Sequence, residues 1–380
     1  MKRFALLITI LLAARASGQG PSKRIGEIEF FGYAGIDLNK VRSSLPFREG
    51  DEFKIETAEE KVSQAFEAAK QVTGYRPTDI SPTCCDDQKN WIIYVGLAGK
   101  TMSYNARPKG TARLPNGISQ LYERFMNSTM QEVQKGAAAE DRSKGYALSE
   151  DPSLRAMQLE MRTYAVEHEV LLREVLATSA DDQQRIVAAE VLGYAHQSKP
   201  QIKALAHANR DRNSAVRNNA TRALMVLAES NAKLAMEIPT EGFVELLLSG
   251  TWTDLNKASV LLAAITRNRK AELLIQLRMK DVLERLIEMA RWRTGHAQAA
   301  QYVLGRIAGI DEERLEELVT TRKVELIINR LQSNKESGAQ PYRFQRHPSG
   351  KNRRDTPNSS DLRMQVCRCS LKFRTAEQPS

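Results

Sequence analysis

The sequence predicts an α+β module of order β-α-α-β-β at the N-terminal end, followed by an all-α solenoid of paired helices, so that the chain is mostly helical. Two observations predict this. Residues 22–100 pass from an alternating strand through two capped helices to a hairpin, and beyond residue 180 an alanine recurs four residues ahead of a leucine in successive helical segments. A third observation concerns destination: the chain opens like an exported protein.

Met1-Lys2-Arg3 precedes an apolar run from Phe4 to Ala14, followed by the small-residue pattern Ala14-Arg15-Ala16. A charged start, a short apolar core and such a site form a secretory signal, expected over 1–16. The run covers 11 residues, against the roughly 20 a membrane-spanning helix needs, so no transmembrane segment is expected in the mature chain.

Within 22–100, Ile28 and Phe30 share one face of a strand that Gly32 closes. Asp37 is placed to cap a short helix carrying Leu38, Val41 and Leu45, which ends before Pro46. Thr57 and Glu60 form a capping-box pattern ahead of a longer helix, whose apolar stripe Val62, Ala65, Phe66 and Ala69 stops at Gly74. Thr78 to Cys85 and Trp91 to Leu97, separated by polar residues 86–90, read as a hairpin. This order, with Gly-Glu-Ile-Glu-Phe-Phe-Gly-Tyr, Pro-Phe-Arg-Glu-Gly50-Asp and Gly74-Tyr75-Arg76, resembles a POTRA domain. The resemblance implies a polypeptide-binding module outside the inner membrane that lends a sheet edge to an extended segment, since an unpaired edge offers a row of backbone donors and acceptors. POTRA domains usually stand in series before a barrel; here there is one, and no barrel sequence follows.

Pro108, Gly110, Pro115 and Gly117 among polar residues mark 101–117 as a linker. A helical region over 118–178 then caps the solenoid. It has an apolar face at Ile118, Leu121, Tyr122 and Phe125, a break at 136–150, and a helix from Asp151-Pro152 towards Leu176.

The repeats occupy 179–332. The pairs Ala188/Leu192, Ala220/Leu224, Ala258/Leu262 and Ala300/Leu304 recur at spacings of 32, 38 and 42 residues. Second helices are expected near Pro200–Ala208, Pro239–Leu248, Val282–Met289 and Glu313–Leu331. Helix pairs at this period form an α-solenoid, in which neither helix buries its apolar face alone. Asp211-Arg-Asn-Ser-Ala-Val216-Arg217-Asn-Asn-Ala220 resembles the repeat signature of the HEAT family. The resemblance gives Asp211 a capping role and sends Arg217 to turn carbonyls or to an acid of the adjoining repeat. Later repeats lack the arginine.

The basic balance does not indicate nucleic acid. Residues 335–380 hold ten Lys/Arg against four Asp/Glu, and three more cations lie in the signal, so a formal +10 shrinks to a near-neutral body. The tail over 333–380 is polar and aliphatic-poor, and reads as disordered. It either binds membranes or acidic partners weakly or is a chance extension. Cys84-Cys85 and Cys367-Arg-Cys369 lack the second half of a zinc site. Neighbours on a strand point to opposite faces, so Cys84 and Cys85 are expected as thiols.

No motif calls for a catalytic group, cofactor or metal. Gly99-Lys100-Thr101 ends like a phosphate loop, but the glycine required earlier is Tyr94. His168, His196, His207, His296 and His347 are scattered without ligand spacing. Two aromatic-polar clusters stand out, Trp252 with Asp254, Asn256 and Lys257, and Arg291 with Trp292, Arg293 and His296. They are either partner-binding hot spots or inter-repeat packing. The reading is an exported, periplasmic or envelope-associated, non-enzymatic scaffold that binds protein partners. Its rival is an enzyme or a chromophore-lyase-like accessory, because HEAT-like repeats also occur in proteins that attach bilins.

Overall fold

The computed structural model describes residues 23–54, 57–97, 102–135 and 139–336. The expected signal over 1–16, the tail beyond Glu336 and the Cys367/Cys369 pair lie outside the described residues.

The N-terminal module is a four-stranded sheet with two helices. In chain order these are β1 (Lys23–Phe31), α1 (Leu38–Ser44), β2 (Glu52–Phe53), α2 (Ala58–Thr73), β3 (Asp79–Cys84) and β4 (Trp91–Gly96). The strand order is β2-β1-β4-β3, with β1 parallel to β4 and β3 antiparallel to it. Asp37 caps α1 through the backbone N–H groups of Asn39 and Lys40. Gly74 ends α2 at φ +81°, a left-handed turn that glycine adopts without a Cβ penalty. Three expectations need correcting. Thr57 makes no cap on α2, its hydroxyl donating instead to the Lys54 carbonyl. The two-residue β2, too short to leave a periodic pattern, adds a strand. Cys84 and Cys85, expected as thiols, are joined as a disulfide.

Both sheet faces are covered, which explains why β4 reads Trp-Ile-Ile-Tyr-Val without polar alternation. Trp91, Ile93 and Val95 pack with Val62 and Phe66 of α2. Ile92 and Tyr94, with Phe31 of β1, belong instead to the core of the solenoid.

Residues 102–115 follow in irregular conformation, then α3 (Asn116–Lys135), with Ile118, Leu121, Tyr122 and Phe125 buried as expected. The break before the next helix holds a small hairpin, β5 (Glu140–Asp141) and β6 (Leu148–Ser149). Asp151 caps α4 (Pro152–Glu167) by accepting from Leu154 N–H at 2.8 Å. The single helix expected up to Leu176 is two, because α4 stops at His168 and α5 (Glu169–Thr178) restarts there.

The repeats comprise α6 (Asp182–Leu192), α7 (Lys199–His207), α8 (Ser214–Ser230), α9 (Ala232–Ala235), α10 (Glu241–Leu246), α11 (Trp252–Ile265), α12 (Ala271–Gln276), α13 (Lys280–Ala290), α14 (Gln298–Ile307), α15 (Glu312–Thr320) and α16 (Val324–Glu336). First helices α6, α8, α11 and α14 stack in that order, and α7, α10, α13 and α15 pack beside them as second helices. All four alanine–leucine pairs lie in this stack with no exposure. The small residue lets axes approach and the leucine fills the layer, so the chain is a helical-repeat solenoid. In α11 every residue is buried, the mark of a helix surrounded by protein on all sides. The last second helix, expected unbroken over 313–331, divides at Arg322, φ +55°, and α16 continues past the expected tail boundary at 333.

Candidate functional site

Arginine–aspartate pairs tie the repeats together. Arg217 Nε and Nη2 donate to Asp254 Oδ1 and Oδ2 at 2.9 and 2.7 Å, and its Nη1 donates to the Asp211 carbonyl at 2.8 Å. Both routes anticipated for Arg217 are therefore used. One repeat earlier, Arg185 forks onto Asp211 at 2.7 and 3.0 Å and donates to the Ser179 carbonyl at 2.8 Å. This makes Asp211 a rung as well as a turn residue. Its carboxylate also accepts from Asn213 N–H, while Asn213 itself caps α8. Val216 and Ala220 of the signature are fully buried. Burial opposes the charge on both arginines, but the paired carboxylates outweigh it and raise their pKa values further. The ladder stops at Asp254, because the residue six positions after Ser249, where the next arginine would fall, is Leu255.

The two nominated clusters meet, but around a residue from the sheet. Tyr94 of β4 stacks on Trp252 with ring centroids 4.7 Å apart at 24°, and meets Trp292 and His296 edge-on at 5.0 and 5.7 Å. Its hydroxyl lies 2.7 Å from His296 Nδ1 and 2.8 Å from Thr294 Oγ1. Trp292 Nε1 donates to the Phe30 carbonyl at 2.9 Å, and Trp252 N–H donates to Asp79 Oδ2 at 2.8 Å. Burial, helped by the nearby Lys257 charge, pushes the His296 pKa down to about 3, so its imidazole is neutral. Glu288 accepts from Gly32 and Tyr33 N–H at 2.8 and 3.3 Å, and Arg293 faces Glu27, Glu29 and Glu49 of the module.

The surface nominated for a partner is thus occupied by the chain itself. Trp252, Trp292 and His296 hold the sheet; Asp254 is a ladder rung; Asn256 and Lys257 are buried within α11. Arg291 stands apart, paired in solvent with Glu325 at 2.8 Å. Hot-spot composition does not distinguish a partner interface from an intramolecular one, and apart from Arg291 these residues are engaged within the chain. The missed residue is Tyr94, and its signal was the unbroken apolar strand. The sheet edge expected to accept a strand is also engaged: at Ile28 of β1 the N–H donates to Glu49 and the carbonyl accepts from Arg42. At the other edge, β3 is buried from Ile80 to Cys84.

Other parts of the N-terminal half contact α8. Asn219 of α8 meets Tyr122 of α3, and Arg222 donates to both oxygens of Glu140 at 2.8 Å. Residues 102–115, expected to be a spacer, form an extended strap along the repeat turns. Asn105 N–H donates to the Arg210 carbonyl at 2.8 Å, Gly110 N–H to the Thr178 carbonyl at 2.8 Å, and Ala180 N–H returns to the Gly110 carbonyl at 2.9 Å. On the outer side, a groove of about 560 Å³ lies between α7 and α10, with Lys203, Asn209 and Gly242 in its lining. Among the described residues no group of three or more His, Cys, Asp and Glu could hold a metal, and no helix is long and apolar enough to cross a membrane.

No family model and no curated protein matches the chain. Among solved structures it is similar to an engineered protein from a structural genomics consortium, with 19% identity, 59% of this chain and 98% of that one covered, and a TM-score of 0.35. It is also similar to a designed armadillo repeat protein in complex with the peptide (KR)4, with 16% identity, 57% and 92% covered, and a TM-score of 0.35. The architecture is therefore stated from the chain's own packing: a helical-repeat solenoid carrying a small mixed sheet.

Proposed function

We propose that the protein is an exported, non-enzymatic scaffold of the cell envelope that binds protein partners on HEAT-like repeats, with a POTRA-like module fixed to them. The observation that carries the reading is the ladder from Arg185 through Asp211 and from Arg217 to Asp254, laid beside the buried alanine–leucine layers. Such a stack is a preformed, extended surface, and preorganisation lowers the ordering cost of binding. The opening residues support export. The sheet order and the two helices support the POTRA-like reading, while docking through Tyr94 makes the module part of one platform rather than a second tethered contact.

Site-specific photocrosslinking in the native host tests this, with the probe at exposed apolar positions Val170, Ile275 and Met279. The expected result is a small set of proteins crosslinked at particular positions. No crosslinked protein at any of them, where a control scaffold captures its partner, overturns it. The chromophore-lyase alternative requires a pocket lined by acids and aromatics. Trp252, Trp292 and Tyr94 pack on one another instead, which favours the scaffold. A visible absorption band in the purified protein would reverse that preference.

A further inference from the structure

The strap binds the solenoid through its backbone and through Leu114, which is buried in the solenoid core. The three main-chain hydrogen bonds to Arg210, Thr178 and Ala180 make it an added strand along two consecutive repeat turns, with Gly110 in a parallel bridge to Ser179. Three side chains give it direction. The Tyr104 ring lies 4.7 Å beneath the Arg217 guanidinium, Arg113 pairs with Asp181 at 3.1 Å, and Arg107 approaches Asp182 at 3.8 Å. Two strap arginines thus meet two aspartates at the start of α6, Asp181 and the Asp182 that Arg185 also contacts, with one ladder arginine as an aromatic seat. Gly110 is required for closeness, since a Cβ there would stand 2.6 Å from the Thr178 carbonyl oxygen.

We propose that this track is a recognition site for an extended basic segment of a partner protein, occupied in this structure by the chain's own strap. The proposal rests on the scaffold reading and names its surface and ligand. Backbone-to-backbone bonding does not itself read side chains, apart from the glycine that the close approach to Thr178 requires. The side-chain contacts then select an aromatic residue six positions before a glycine, and an arginine three positions after it. Because the strap is tethered, its high effective concentration keeps the track closed until a partner segment competes.

The probe is a fluorescently labelled synthetic peptide of residues 102–115. Binding is read by anisotropy against the wild-type protein and against a Tyr104→Ala, Gly110→Val variant, in which the cis strap is weakened and the track is intact. The variant is expected to bind the peptide at least tenfold more tightly than wild type. A peptide with Arg107, Lys109 and Arg113 replaced by glutamate, and one with Gly110→Ala, are expected to lose that binding. No binding to a folded variant, or equal binding of the charge-reversed peptide, overturns the proposal. If the variant fails to fold, hydrogen exchange on wild-type protein with excess peptide decides: the Gly110 amide exchanges faster while Ala180 stays protected if the proposal holds, and neither changes if it fails. Crosslinked partners that persist at Val170, Ile275 or Met279 after such a failure leave the scaffold reading standing and remove only the track.

Discussion

Tyr94 of the sheet and Trp252 of the solenoid stack face to face, and this pair holds together two parts of the chain that sequence reading treats as independent domains. Tyr94 is fully buried and its hydroxyl sits between His296 and Thr294. Replacing Tyr94 with alanine is therefore expected to cost about 3–5 kcal/mol, the range for large aromatic truncations in cores. Tyr94→Phe, which keeps the ring and strips only the hydroxyl, is expected to cost about 1–2 kcal/mol through the partners left unpaired. Chemical denaturation with near-ultraviolet dichroism as the probe ranks the two. Equal costs would mean that the ring does not contribute to docking.

The ladder offers a contrast between breaking a buried pair and replacing it. Arg217 and Asp254 are both buried, so Arg217→Ala leaves a carboxylate without its partner inside the protein. The expected loss is about 3–5 kcal/mol. Replacing both residues by apolar groups of similar volume, Arg217→Met with Asp254→Leu, removes the stranded charge as well as the attraction, and is expected to recover most of that loss. Urea midpoints of the two single variants and the double variant give the coupling directly. A double variant no more stable than Arg217→Ala would show that bonds beyond the ion pair matter, namely the Arg217 bond to the Asp211 carbonyl, lost in both, and the Ser249 hydroxyl's bond to Asp254, lost in the double variant.

The repeats were legible because their signal is local and periodic: alanine and leucine four positions apart share one helix face, and all four pairs are buried. Arg217 was legible because its spacing from Asp211 fixes how far the guanidinium can reach. The docking of the sheet was not, since it depends on which solenoid residues meet Tyr94, and no spacing within β4 encodes that. The strap was misread for a related reason. Its prolines and glycines exclude helix but say nothing about whether an extended chain lies in solvent or against Thr178 and Arg210. The division at Arg322 had no glycine or proline to mark it, because there an arginine itself adopts the left-handed turn.

The stacked layers predict a graded response to volume. Leu262 is fully buried in α11, and Leu262→Ala is expected to cost about 2–5 kcal/mol, whereas the half-exposed Leu159 of α4 should tolerate the same change within about 0.5 kcal/mol. In the other direction, Ala258→Leu forces extra carbons between close-packed helices, and an overpacking loss of about 1–3 kcal/mol is expected. Thermal unfolding of the three variants measures this order. A tolerated Ala258→Leu would show that the first helices are not held at the close approach that alanine permits.

The contact between module and solenoid is also expected to depend on pH, with a sign that follows from Glu29. Burial raises its carboxyl from an ordinary value of 4.5 to about 7, even though Arg293 N–H donates to Oε1 at 2.7 Å. The Arg293 side chain does not cancel this because its one positive charge is shared among Glu27, Glu29 and Glu49; Glu27 adds repulsion and Arg42 contributes only the weakest attraction. A group whose folded pKa is raised binds its proton more tightly in the folded protein. Its contribution is therefore fully present below about pH 4.5 and lost as the pH rises through about 7. Glu27 and Glu288 are shifted upward by burial and act in the same direction, whereas Glu49, held below its ordinary value chiefly by hydrogen bonds from Arg293 and Ile28 N–H, weakens the fold only under acid conditions. Buried His296 at the same contact acts the other way, because its folded pKa of about 3 lies below its ordinary 6.5 and its contribution grows as the pH rises to about 6.5. Stability measured by urea unfolding should therefore decline between about pH 6.5 and pH 8, above the His296 window. Glu29→Gln keeps an acceptor for Arg293 N–H and removes the titration, so it should flatten that decline. An undiminished slope in the variant would assign the pH dependence to groups other than Glu29.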